Sequence, residues 1–116
     1  MTMGAGSFPT ALNSTALYTD NLIGRYLTQY FNGLIDEVSI FDYSLDATEI
    51  STLYNSGVPT DLSNTIGLTP PVHWWRMGDG ATWNGTNWSV PDVGATGGMT
   101  GTSVNMELVD RFTDVP

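Results

Sequence analysis

Tyr30-Phe31-Asn32-Gly33-Leu34-Ile35-Asp36-Glu37-Val38-Ser39-Ile40-Phe41, with the run that follows it to Gly57, decides how the chain is read. Asn32-Gly33 is a turn dipeptide, because both residues tolerate positive φ. Ile35, Val38, Ile40 and Phe41 then supply the β-branched and aromatic side chains that suit a half-buried strand. Strict alternation places Leu34, Asp36, Val38 and Ile40 on one face and Ile35, Glu37, Ser39 and Phe41 on the other. Asp36 thereby falls on the more apolar face. Either a bulge at Asp36-Glu37 shifts the parity, or one acidic side chain is buried and hydrogen-bonded.

A helix is expected directly after this strand, over about residues 46–55. Asp46 and Glu49 have the spacing of a capping box, in which each side chain satisfies a backbone N–H of the first turn. Ile50, Leu53 and Tyr54 form an apolar stripe at i, i+3 and i+4. Gly57 is the expected left-handed cap, and Pro59 prevents the helix from resuming.

These residues carry a family resemblance. Phe31-Asn32-Gly33, Ile35-Asp36-Glu37-Val38, Ile40-Phe41, Leu45, Glu49-Ile50 and Leu53-Tyr54 resemble the closing strand and helix of laminin-G-like, concanavalin-A-like jelly rolls. Ile23-Gly24-Arg25 is similar to the strand that precedes that segment in the family, whereas Ser39 stands where members often carry arginine. Gly57-Val58-Pro59-Thr60-Asp61-Leu62 and Trp74-Trp75-Arg76-Met77-Gly78-Asp79 look like versions found in marine bacteriophage structural proteins. The resemblance implies an all-β fold, a partial or trimmed jelly-roll β-sandwich with one short α-helix. Residues 1–62 would be the end of one such unit, with residues 22–41 as an antiparallel pair. Residues 63–71 would be a linker, the later part of a Pro/Thr/Ser/Asn-rich connector over Pro59–Pro71 that has Leu62, Ile66 and Leu68 as its anchors and Pro70-Pro71 as its boundary. Residues 72–116 would be a Trp-rich segment similar to the opening strands of a second unit.

Composition narrows the function classes. With 116 residues the chain is short for a complete two-sheet jelly roll, since all-β sandwiches often reach ~200 residues. The formal net charge is −9, and Arg25, Arg76 and Arg111 are its cations. A nucleic-acid partner needs a basic footprint, which this chain lacks, and an anionic membrane surface is an equally poor match. There is no cysteine, hence no disulfide framework and no thiolate metal site. No apolar run approaches the ~20 residues of a membrane span, so membrane insertion is not expected. The first residues lack the basic and hydrophobic regions of a signal peptide.

The chemistry-bearing residues are few. Asp36 and Glu37 are adjacent on a strand and cannot flank one glycosidic bond, so they are read as structural. His73 is the single histidine and has no nucleophile near it in sequence, so no catalytic residue is assigned. Asp79, Asn84, Asn87 and Asp92 offer loop oxygens, and the resemblance makes calcium the one cofactor to test. Trp74, Trp75, Trp83 and Trp88 are either a platform for sugar rings or large core and interface residues. Alternation sends Trp74 and Trp75 to opposite faces. Asn84-Gly85-Thr86-Asn87 is expected to be a hairpin loop. Asn32, Gly33, Asp46, Glu49 and Gly57 are assigned to structure.

The resemblance implies a non-catalytic binding or structural module of a virion-surface or extracellular protein. Its partner would be a glycan or a virion or cell-surface protein. The other reading is a particle assembly or decoration subunit that binds only other virion proteins. Either way an oligomer or a larger assembly is expected.

Overall fold

A computed structural model describes residues 21–110. They are β-rich, with small antiparallel sheets and one α-helix. The chain divides into two compact units, Met1–Gly33 and Leu34–Pro116.

In the first unit, β1 (Arg25–Tyr26) and β2 (Gln29–Tyr30) form a hairpin with Arg25 opposite Tyr30 and Tyr26 opposite Gln29. The turn therefore falls at Leu27-Thr28, not at Asn32-Gly33 as the sequence suggested. Leu27 takes a positive φ of 52°, unusual for a side chain of that size. Its carbonyl accepts from Arg25 Nε at 2.7 Å, which fixes the turn from within the hairpin.

The second unit is built on a pairing that local signals do not reveal. β3 (Val38–Ile40) pairs antiparallel with β4 (His73–Trp75), in the register Val38–Trp75, Ser39–Trp74 and Ile40–His73. The expected partner, residues 22–27, is thus replaced by a strand more than thirty residues downstream. Directly opposed residues share a face, so Ser39 and Trp74 lie on one side and Val38, Ile40, His73 and Trp75 on the other. β3 is shorter than the alternation of residues 34–41 implied, because Glu37 takes a φ of 51° just before it.

The core lies on the Ser39–Trp74 side, where Leu62, Leu68 and Trp74 are buried with Phe41, Leu45 and Leu53 packed on them. That is the face that alternation marked as less apolar. Leu68 and the fully buried Pro71 come from the expected linker, so this connector is part of the packed interior. Ile66, expected as an anchor, instead points outward at 96% exposure.

α1 (Ala47–Tyr54) begins on a complete capping box. Asp46 Oδ1 accepts from the N–H groups of Thr48 and Glu49 at 2.8 Å each, and Glu49 Oε2 accepts from Asp46 N at 2.8 Å. The left-handed cap is Asn55 (φ 41°), two residues before Gly57, and a 3₁₀ turn spans Asn55–Gly57. Of the expected stripe only Leu53 reaches the core, while Ile50 and Tyr54 are exposed.

The last sheet holds β5 (Thr82–Trp83), β6 (Trp88–Val90) and β7 (Gly101–Thr102), all antiparallel. Its first hairpin closes at Asn84-Gly85-Thr86-Asn87 as the sequence suggested. Asn84 Oδ1 accepts from Thr86 N at 2.9 Å and Asn87 N at 2.8 Å.

Candidate functional site

β4 is the strand on which the polar residues converge. One edge pairs with β3, and the other meets Asp92 and Val93 through a bridge at Trp75 and a Val93 N–H to Trp74 carbonyl bond of 2.8 Å. The Asp92 side chain is 0% exposed. Its Oδ1 accepts from Trp74 N at 2.9 Å and Gly94 N at 3.1 Å, and its Oδ2 accepts from Met99 N at 3.2 Å. His73 Nδ1 lies 2.7 Å from the same Oδ2. Burial, the largest influence, pushes this carboxyl's pKa up. The bonds from Trp74 N, His73, Gly94 N and Met99 N outweigh it and hold the carboxyl below its ordinary value.

The loop after Asp92 comes this close because residue 94 is glycine. A Cβ there would sit 2.5 Å from His73 Cα and from the Val72 carbonyl oxygen. Just beyond it, Ala95 N donates to Pro71 O at 2.8 Å and Thr96 N to Val72 O at 3.0 Å. Asp92 and Gly94 together fasten residues 92–99 along β4.

A second cluster sits beside the core face. Glu37 Oε2 accepts from Trp74 Nε1 at 2.6 Å, and its Oε1 accepts from Arg76 Nε at 3.3 Å. Arg76 also donates from Nη2 to Asp79 Oδ2 at 2.8 Å, and its guanidinium lies 5.2 Å from the centre of the Trp74 ring. Burial raises the pKa of Glu37 against the opposing pull of the Trp74 and Arg76 bonds. Glu37 is thus a half-buried, hydrogen-bonded acid, and the backbone kinks at the same residue, so the alternation that put Asp36 on the more apolar face breaks there. Asp36 accepts the Glu37 N–H at 2.9 Å. A shallow cavity of about 170 Å³ opens next to Glu37, between Ser39, Leu53, Pro59, Thr60 and Leu62.

The tryptophans do not form a platform. Trp74, Trp75 and Trp88 are only 3%, 7% and 6% exposed. Their indole N–H groups donate inside the unit, to Glu37, to the Met99 carbonyl at 2.7 Å and to the Glu107 carbonyl at 3.0 Å. Trp75 stacks on His73, with ring centres 5.8 Å apart. A sugar ring needs an open aromatic face, and these three rings are enclosed. Trp83 is half-buried, tilted against Trp88 at 5.5 Å.

The four residues set against calcium also part company. Asp79 is engaged by Arg76 and Asn84 by the turn of its own hairpin, while Asn87 Nδ2 donates to Ser103 O at 2.8 Å. Asp92 has both oxygens occupied by N–H donors. Calcium is bound by six to eight converging oxygens, and among the described residues no group of three or more acidic, histidine or cysteine side chains converges in that way.

His73 and Asp92 were the pair that sequence reasoning missed. Nineteen residues separate them, and the only local hint was Pro91-Asp92-Val93-Gly94, a turn pattern that also fits a solvated loop. Chemically the pair orients an imidazole and could support acid–base work. Among the described residues, however, no hydroxyl group hydrogen-bonds that ring. The arrangement acts as a fastener between β4 and the following loop. Comparison with known proteins gives no further guide to it: no family model, no curated protein and no solved structure matches the chain.

Proposed function

We propose that the chain is a non-catalytic structural module that works by protein–protein contact, within a particle-surface or extracellular assembly. One observation carries this reading. Leu34–Pro116 turns Trp74, Trp75, Trp88 and Asp92 inward as fasteners, while Leu34, Tyr54, Ile66 and Val109 are left strongly exposed. Exposed large apolar side chains in such numbers suit a surface that is covered by another protein. The resemblance of residues 31–54 to laminin-G-like jelly rolls supports the same view, since a trimmed sandwich gains by borrowing strands or a packing face from a neighbour.

Light scattering over a range of concentrations tests it. Reversible association, weakened by Ile66→Glu without loss of folding, is the expected result. A chain that stays monomeric at high concentration while binding glycans would refute it. That second reading, glycan recognition, retains one specific support. In the first unit Tyr26, Tyr30 and Phe31 are exposed around an open cleft of about 350 Å³, together with Arg25 and Gln29.

A further inference from the structure

The sequence holds two Asn-Gly pairs, Asn32-Gly33 and Asn84-Gly85, and the structure treats them differently. An asparagine followed by glycine can cyclise on itself, because no side chain shields the next backbone nitrogen. Asn84 is restrained against this. Its Oδ1 accepts two backbone N–H bonds, from Thr86 and Asn87, and its own N–H donates to Asn87 O at 3.1 Å. It also sits at the tip of the β5–β6 hairpin, whose cross-strand register holds the backbone on either side. Closing a ring there requires both side-chain bonds to break and the turn to twist.

Among the described residues Asn32 lacks the side-chain restraints of Asn84, and its backbone is held on one side alone, where Phe31 N donates to Gly24 O at 2.8 Å. It is exposed, lies outside any strand or helix, and makes no side-chain hydrogen bond among the described residues. A Cβ at Gly33 would fall 2.7 Å from Cε1 of the exposed Phe31 ring, which would have to move aside.

We propose that Asn32 is a self-modification site, converting to aspartate and isoaspartate in the folded protein while Asn84 is protected. The Gly33 amide nitrogen, having given its proton to solvent base, attacks Asn32 Cγ and forms a new C–N bond. The Cγ–Nδ2 bond breaks and the amide nitrogen leaves as ammonia, taking up a proton. Water then opens the cyclic imide at either carbonyl. Opening at the side-chain carbonyl leaves aspartate, and opening at the main-chain carbonyl leaves isoaspartate, which lengthens the backbone by one carbon. No redox change occurs, and each event adds one negative charge to a chain already at −9. The product is a chain whose link between β2 and β3 is altered with age.

The test is incubation of the full chain at mildly alkaline pH, followed by peptide mapping with mass detection, once in buffer and once in urea. In buffer Asn32 should convert several-fold faster than Asn84, and in urea the two rates should draw together. Gly33→Ala should slow conversion at Asn32 several-fold in urea, where packing against Phe31 no longer matters. Equal rates in buffer, or faster conversion at Asn84, would overturn the proposal.

Discussion

Asp92→Ala removes the acceptor for three backbone N–H groups, those of Trp74, Gly94 and Met99, and the partner of His73. A buried donor left unsatisfied costs about 1–3 kcal/mol. Water entering the vacated space would recover part of that for the donors nearest the surface. Taking the lower end for each group gives a loss of roughly 3–4 kcal/mol. Domains are stable by only about 5–15 kcal/mol, so this is a large fraction of the whole. Asp92→Asn should cost less, because Oδ1 still serves Trp74 and Gly94, while the NH₂ group in place of Oδ2 meets Met99 N and the His73 ring nitrogen. Acid adds a second signature. The Asp92 carboxyl is held below its ordinary value. Its contribution is therefore complete above about pH 3.9, the unfolded value. It is lost as pH falls through the lower folded value. Urea titrations followed by tryptophan fluorescence, repeated down the acid range, measure both effects. If Asp92→Ala shifts stability by less than about 1 kcal/mol, or Asp92→Asn leaves the acid limb unchanged, the fastening role is refuted.

Three further substitutions test neighbouring parts of the structure. Gly94→Ala places a methyl group 2.5 Å from the backbone of β4. It should cost about 1–3 kcal/mol or more by overpacking, read as a fall in the urea midpoint. Glu37 has a raised pKa, so its ionisation opposes folding, and the stability it allows at low pH is lost as pH rises through the folded value. Glu37→Gln keeps an acceptor for Trp74 Nε1, so its stability relative to the native chain should rise as pH climbs from about 4.3, the unfolded value, through the higher folded value; a relative fall there would contradict the assignment. Asp46→Ala removes the acceptor for Thr48 N and Glu49 N, leaving only the bond from the residue 46 backbone N–H to Glu49, and should cost roughly 1 kcal/mol, measurable as a lower thermal midpoint.

What the sequence made legible was local. The capping box at Asp46 and Glu49 could be read because its partners lie within one helical turn. The Asn84–Asn87 loop could be read because the turn chemistry sits in four consecutive residues. Pairing between β3 and β4 could not, since nothing in residues 38–40 distinguishes a partner upstream from one downstream. The core face was misread for a related reason. Alternation favoured Val38 and Ile40, whereas the core forms around Ser39 because Trp74 stands opposite it and brings far more apolar area. Ile66 and Leu68 differ by only two positions and chemically little, yet one is exposed and the other buried. That outcome depends on how residues 59–71 fold back onto Trp74, which no short-range pattern records. Similarly, four tryptophans within fifteen positions fitted a platform and a core equally well until their N–H acceptors were known.

Hydrogen exchange of the four tryptophan indole N–H groups, followed by NMR, tests most directly whether the aromatic residues act as internal fasteners. Trp74, Trp75 and Trp88 should exchange slowly, and the half-buried Trp83 should exchange fastest. Adding oligosaccharides should leave the first three unchanged. Fast exchange at Trp74 and Trp75, or protection there that appears only when a glycan is added, would contradict the fastener role and restore the tryptophans as a binding surface.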